Sequence, residues 1–288
     1  MLKFVTFFFV ALAVLLPQQW ASAAVWSITY PRPLSAEDKR HEYPLAVLTL
    51  ALEKTGVRYQ LMPSDRIILQ AKSIRQLAEN REIDVIWSMT NKQREEVLLP
   101  IRIPIAKGLI GWRVSLINKD DSARFSAIDS LAQLQQFSPI QGADWPDTKI
   151  LQANGFSVYT VTEYTDANEA LILRQGDFFP RSVMEVTKEL EALGRGSDLM
   201  LEPDLVLQYP AAMYFFVNKS NHTLAKLIQT GLQKAVDSGE YDKLFQETFE
   251  PVIDDLNLRQ RRRFKLNNPL MPEDSPVDDT ALWFDIEK

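Results

Sequence analysis

The sequence predicts an α/β protein made of two units, and three observations carry that prediction. Short apolar runs of strand length alternate with stretches of helical spacing, first over residues 25–87 and again over residues 126–179. Two extended apolar runs, residues 109–117 and 205–217, join the two sets, so the units are expected to share a hinge of two strands. The chain has 288 residues, room for about two domains at roughly 150 residues each. Its 46% apolar and 24% charged residues are the composition of a packed globular protein.

Residues 1–23 read as a secretory signal peptide. Lys3 is followed by a nearly unbroken apolar run over residues 4–16, and Ala21-Ser22-Ala23 supplies the small-x-small pattern that signal peptidase accepts. A run that short does not span about 30 Å of hydrocarbon, so cleavage and a soluble periplasmic protein are expected. Residues 25–30 (VWSITY) form a strand-like run ended by Pro31 and Pro33, and residues 43–54 have helical spacing with Gly56 as a stop. Residues 57–62 are a second strand candidate, 65–81 a long helical stretch, and 83–87 (IDVIW) a buried strand. That order implies βαβ crossovers and a parallel sheet.

In the second set, residues 130–137 are helical and 139–142 form a short strand ending in a Gly turn. Residues 147–154 are helical before Gly155, 156–162 are strand, 167–174 helical, and 177–179 another strand end. Helical pattern returns at residues 224–238 and 241–250, with no strands nearby to pair with, so these helices are placed back on the first unit. The expected organisation is therefore residues 1–23 as signal, 24–112 with 213–250 as a first lobe, 113–212 as a second lobe and 251–288 as a tail.

Charge and rare residues exclude several classes of chemistry. Lys plus Arg is 32 against 38 Asp plus Glu, a net charge of −6, which is unsuited to wrapping nucleic acid. There are no cysteines, so disulfides, thiolate nucleophiles and Cys-ligated metals are excluded, and two histidines, His41 and His222, are too few for a multi-His metal site. No cofactor or metal is expected. The patterns G-x-S-x-G, H-E-x-x-H, G-x-G-x-x-G and the P-loop are all absent.

The run Asp84-Val-Ile-Trp-Ser-Met-Thr-Asn-Lys-Gln-Arg94 resembles the D-x-x-x-S-x-T-x-x-R signature of family 3 periplasmic solute-binding proteins, the polar amino acid-type receptors of ABC importers, with one residue more between Thr90 and Arg94. The likeness covers roughly residues 25–250 and is most specific over residues 88–94. The segments 142–148 (GADWPDT) and 176–182 (GDFFPRS) look like a divergent, uncharacterised subgroup. The resemblance implies a class II periplasmic-binding-protein-like fold, with two α/β lobes on a two-strand hinge closing over a ligand cleft. It also implies that Arg94 holds a ligand carboxylate. No catalytic residue is implied; the partners would be a small solute and an inner-membrane permease, and a monomer is expected.

Ser88, Met89, Thr90 and Arg94 stand where a buried strand gives way to a helix. Hydroxyls, free backbone N–H groups and a bidentate Arg together suit a carboxylate there. The alternative is a solvated helix cap with Arg94 paired to Glu95 or Glu96. In the second unit, Gly142 opens a strand-to-helix turn that allows close backbone approach, and Trp145 is placed to lie over a ligand. Asp144 or Asp147 as a helix cap is the competing reading of that turn. Tyr30 and Arg32 end the first strand and are expected in the same cleft, unless Tyr30 packs on the lobe surface. Phe178 and Phe179 are read as core before cleft wall, and His41 as an exposed loop residue.

The second lobe departs from the family pattern. Members commonly read G-R-x-D-a-x-x-x-D, the last Asp accepting an α-ammonium; here Asp177 stands at the first Asp, and Arg181 and Ser182 fall where the amine-binding acid belongs. A cleft-facing Arg181 would favour a solute with two anionic ends or without an ammonium; pairing of Arg181 with Glu185 or Asp177 is the alternative. The leading function is a non-catalytic receptor that closes two lobes on a small solute for an importer. A sensor module is the first alternative. A dehydratase on the same fold, with Glu163 or Asp177 as general acid or base, is the second. The basic run 259–265 before an acidic tail is read as a solvated arm, with docking to anionic lipid or a partner as the lesser reading, and residues 281–286 (ALWFDI) as a pin onto the body.

Overall fold

The computed structural model describes residues 24–35, 38–194 and 196–287. The expected signal peptide lies outside the described residues. The chain runs β1 (Val25–Tyr30), α1 (Glu42–Thr55), β2 (Arg58–Pro63), α2 (Gln70–Ala78), β3 (Val85–Met89), α3 (Lys92–Val97) and β4 (Leu98–Ile101). It continues through β5 (Trp112–Asn118), α4 (Ser122–Ser126), α5 (Leu131–Leu134), β6 (Ile140–Gly142), α6 (Pro146–Ala153), β7 (Tyr159–Val161), α7 (Tyr164–Ile172), β8 (Phe178–Ser182) and α8 (Val186–Leu193). Then follow β9 (Leu199–Leu201), β10 (Leu205–Gln208), β11 (Met213–Asn218), α9 (His222–Asp237), α10 (Glu240–Asp255) and β12 (Arg262–Lys265).

The first lobe is built on β1–β2, paired in parallel, and on β3–β11–β4, with β11 antiparallel to both its neighbours. Asp84 joins these sheets: its N–H donates to the Thr29 carbonyl at 2.9 Å and its carboxylate accepts from the Thr29 N–H at 2.8 Å. The spatial order is thus 2-1-3-11-4, with the carboxyl ends of β1 and β2 on one side. Helix α9 lies against α1 so closely that a Cβ on Gly231 would fall 1.8 Å from the Ala51 carbonyl oxygen. That approach buries Leu48, Leu52, Ile228 and Leu232 completely.

The second lobe centres on β5, wholly buried along its length. One edge of β5 pairs with β8; the other pairs first with β10 and then with β9. The parallel pair β6–β7 joins through a bridge between Pro139 and Phe178. The expected solvated arm at residues 259–265 is instead part of this sheet, because β12 pairs in parallel with β10 from Leu205↔Arg262 to Gln208↔Lys265. Arg261 is buried and donates to the Glu202, Leu205 and Leu256 carbonyls, while Arg262 and Lys265 point out. Alternation of basic and apolar residues made the run a strand edge; charge count alone concealed it.

Two further expectations are corrected. The long helix over residues 65–81 shrinks to Gln70–Ala78, since Ser64 turns the chain by accepting from the Arg32 N–H and donating to the Arg66 carbonyl. The single extended run at residues 205–217 is two strands in different sheets, β10 and β11, with the chain crossing between lobes at residues 209–212. The other crossing, residues 102–111, runs beside it: Ile105 N–H donates to Met213 O and Tyr209 N–H to Gly111 O. A Cβ on Gly111 would sit 2.0 Å from the Tyr209 carbonyl oxygen, so only glycine lets the two crossings touch.

Candidate functional site

The first-lobe turn is organised by Asn91, whose side chain accepts from the Arg94 N–H at 2.8 Å and caps α3. That geometry folds Arg94 back under the end of β3, where its guanidinium donates to the Met89 carbonyl. The side chain is half-buried, its Nε is enclosed without a hydrogen-bond partner, and it makes no ion pair among the described residues. Burial unrelieved by a carboxylate pulls Arg94 down to about 10. The alternative pairing with Glu95 does not occur, because Glu95 is engaged by Arg102 at 2.6 Å and by the Thr90 hydroxyl at 2.6 Å.

The hydroxyls expected beside Arg94 are already satisfied. Ser88 is buried and accepts from Gln70 Nε2 at 2.6 Å, and Thr90 is spent on Glu95. Met89 is buried and belongs to a core cluster that also holds Tyr209 and Ala211. Arg32 is exposed and its Nε donates to the Ser64 carbonyl at 2.6 Å, tying the ends of β1 and β2 together. Tyr30 packs 6.1 Å from Trp87, and His41, read from sequence as an exposed loop residue, instead sets its ring edge-on to Trp87 at 5.2 Å. Burial lowers the His41 pKa from 6.5.

In the second lobe the Trp145 indole lies flat on Gly142: a Cβ there would come 2.5 Å from the ring. Pro146 starts α6 and the Thr148 hydroxyl donates to the Gly142 carbonyl at 2.7 Å, which fixes the turn. Asp147, read as a possible helix cap, is a buried acceptor instead. It takes Arg113 Nη2 at 2.7 Å and the Tyr209 hydroxyl, and the Arg113 guanidinium carbon stands 5.6 Å from the Tyr209 ring. Burial is the largest influence and opposes the Arg113 charge, but Asp147, Tyr209 and Glu185 together outweigh it and the pKa rises. This hub at the crossing was missed in the sequence; its one signal was an Arg inside the otherwise apolar run 112–117.

Arg181 is not a bare cation. Its guanidinium meets Glu189 through two bonds of 2.8 and 2.5 Å and Glu185 at 3.3 Å, and it faces the Trp145 and Phe179 rings at 5.2 and 5.0 Å. Glu185 is one of the partners the sequence offered, and an Arg181 held this way is not an unopposed cation, so the argument for excluding an ammonium loses its basis. Asp177 is also misplaced as a ligand group. It precedes β8, roughly 16 Å along the strand from Ser182 at about 3.3 Å per residue. There it accepts from the Ser138 N–H at 2.7 Å and pairs with Arg124 at 3.5 Å.

A cavity of about 210 Å³ separates the two turns. Asn91, Lys92 and Gln93 form one wall, Asp144, Trp145, Pro146 and Lys149 the other, and Pro269 and Leu270 from the C-terminal segment close a side. Arg94 follows Gln93 in the chain and is not itself a lining residue. Lys92 and Lys149 among the lining residues are balanced by Asp144 and by Glu273, which pairs with Lys92 at 3.6 Å. A larger hollow of about 600 Å³, lined by Trp26, Val57, His222 and Lys226, opens at the amino ends of β1 and β2. In open α/β sheets ligands bind at the carboxyl ends of the strands, which favours the smaller cavity.

No protein-family model and no curated protein sequence matches the chain. Solved structures do. A probable amino-acid ABC transporter extracellular-binding protein from Bacillus subtilis is similar with a TM-score of 0.57 and 15% identity, covering 78% of this chain and 97% of its own. A Salmonella typhimurium periplasmic binding protein described for high arginine specificity has a TM-score of 0.53, 16% identity, and coverage of 78% and 99%. A histidine kinase sensor domain with similarity to periplasmic binding proteins has a TM-score of 0.53, 12% identity, and coverage of 78% and 96%. The fold is therefore the two-lobed α/β fold of periplasmic binding proteins.

Proposed function

We propose that this chain is a periplasmic solute-binding protein that holds a small carboxylate-bearing, amino acid-like solute between its lobes and delivers it to an ABC-type importer. The observation that supports this most is Arg94: a half-buried guanidinium with no carboxylate partner among the described residues, next in the chain to Asn91, Lys92 and Gln93, which form one wall of the interlobe cavity. An uncompensated buried charge is costly to a fold, and an anionic ligand supplies the missing partner. A cavity of about 210 Å³ lies below the roughly 300–1,000 Å³ of pockets for drug-sized ligands, which suits a small solute. Similar structures bear names or ligands that are amino acids: arginine, lysine and glutamate.

No step of this reading requires chemistry on the solute. Glu163, one of the two acids considered for catalysis, caps α7 in a reciprocal arrangement with Asp166, and Asp177 is at the far end of β8. Delivery to a sensor kinase is the second reading, favoured by the likeness to the sensor domain. Calorimetry of the mature chain against L-glutamate, L-arginine, L-lysine, glycine and succinate tests the proposal. Binding of one amino acid that Arg94→Ala weakens at least about 30-fold is expected from the loss of roughly 2–5 kcal/mol when a buried charge pair is broken. Binding untouched by that substitution overturns the site.

A further inference from the structure

The C-terminal segment is the part of the chain that the binding-protein fold leaves unexplained. Similar structures are matched over 96–99% of their own length, yet they cover 78% of this one. The remainder is about the size of the first 23 residues and the segment after Glu250 together.

Residues 266–287 follow a path that touches both lobes and both crossings. The segment leaves the second lobe beside α6, where Asn267 and Asn154 exchange hydrogen bonds of 2.9 and 2.7 Å. It passes the crossing, with Asn268 donating to the Pro210 carbonyl at 2.8 Å, and lays Pro269 and Leu270 along the cavity. On the first lobe, Met271 packs with the cluster of Ile68, Leu77 and Ile86, and Glu273 and Asp274 pair with Lys92 at 3.6 Å and Arg102 at 3.4 Å. It then returns to the hinge. The Trp283 ring covers Gly108, where a Cβ would fall 2.3 Å from it, and Phe284 donates its N–H to the Lys107 carbonyl while its ring meets Trp112 edge-on at 5.4 Å. Glu287 finally reaches Arg263 on β12 at 3.3 Å.

We propose that this segment is a strap that makes the third connection between the lobes, walls the binding cavity through Pro269 and Leu270, and fixes the lobe angle before any solute arrives. Rotation about two crossings leaves lobes free to open; a third connection, anchored on both lobes with an indole seated on the hinge glycine, must be sheared for that rotation to occur. A cleft held near its bound angle requires less of the solute's binding energy for closure, and rejects solutes too large for the fixed space. The cavity wall takes its meaning from the solute-binding reading above, but the lobe angle is measurable without any ligand, so failure of one idea is separable from failure of the other.

The chain has no cysteine, so spin labels go only where cysteines are placed. Lys72→Cys on the first lobe and Lys188→Cys on the second are both exposed and carry them. Double electron–electron resonance on the ligand-free full chain is expected to give one narrow distance distribution. A chain ended after Asn268, and separately the full-length variant Trp283→Ala with Glu273→Lys, should give a broadened distribution with a longer mean. A broad distribution in the unmodified chain, or an unchanged narrow one in either variant with circular dichroism like the parent, overturns the strap. Should the shortened chain not fold, the full-length variant decides.

Discussion

Replacing Arg94 by methionine separates a binding residue from a structural one, because the two roles predict opposite signs for stability. Burial holds the guanidinium at about 10, well below its value in water. At 1.36 kcal/mol per pH unit the difference corresponds to roughly 3 kcal/mol of unfavourable desolvation carried by the empty protein. Methionine fills much of the same volume without the charge, but it forfeits the hydrogen bond to the Met89 carbonyl, worth roughly 1.5–3 kcal/mol for a charged donor. The balance is between about zero and 1.5 kcal/mol in favour of the variant. For a chain of this size roughly 2–4 °C accompany each kcal/mol, so scanning calorimetry should find the melting temperature unchanged or raised by up to ~5 °C. Titration of the same variant with the solute should show its affinity lost. A melting temperature lowered by more than a few degrees, with solute binding intact, would show that Arg94 serves the fold and would refute the reasoning.

Asp147→Ala should be severe, since it strands the buried Arg113 and removes the acceptor of the Tyr209 hydroxyl; a cost of about 3–5 kcal/mol, or roughly 6–20 °C by calorimetry, is expected, and a loss under about 2 °C would mean that the hub is not a buried pair. Gly111→Ala forces the two crossings apart at the Tyr209 carbonyl, an overpacking cost of about 1–3 kcal/mol that denaturant unfolding would register. His41 should titrate below 6.5 in an NMR pH series, because its folded pKa is lowered by burial. The unfolded chain then takes up the proton first, so this contribution to stability is present above about pH 6.5 and declines as the pH falls through that value towards the folded one. His41→Gln should flatten that part of the stability profile, and an unaltered slope would assign it to other groups.

Much of the fold was legible because strand and helix periodicities are local properties of the chain. The alternation over residues 25–87, the stop at Gly56, the strand ending in Gly142 and the helices after residue 222 all follow from spacing and from a few turn residues. The run from Asp84 to Arg94 likewise placed Arg94 on a strand-to-helix turn. What the sequence could not assign was the partner of each buried charge. For Arg181 the sequence offered Glu185 or Asp177; Glu185 does meet it, but α8 also brings Glu189 against it, and the pairing of Arg113 with Asp147 and Tyr209 was not foreseen. Ser88 and Thr90 had the right chemistry for a ligand but were committed to Gln70 and Glu95. The basic run at residues 259–265 read as a solvated arm because its β-sheet partner, β10, lies more than fifty residues earlier. Local pattern depends on neighbours within a turn or two of chain, whereas the state of a charge depends on which distant groups exclude water from it. That exclusion exists only once the lobes, the crossings and the strap are packed together.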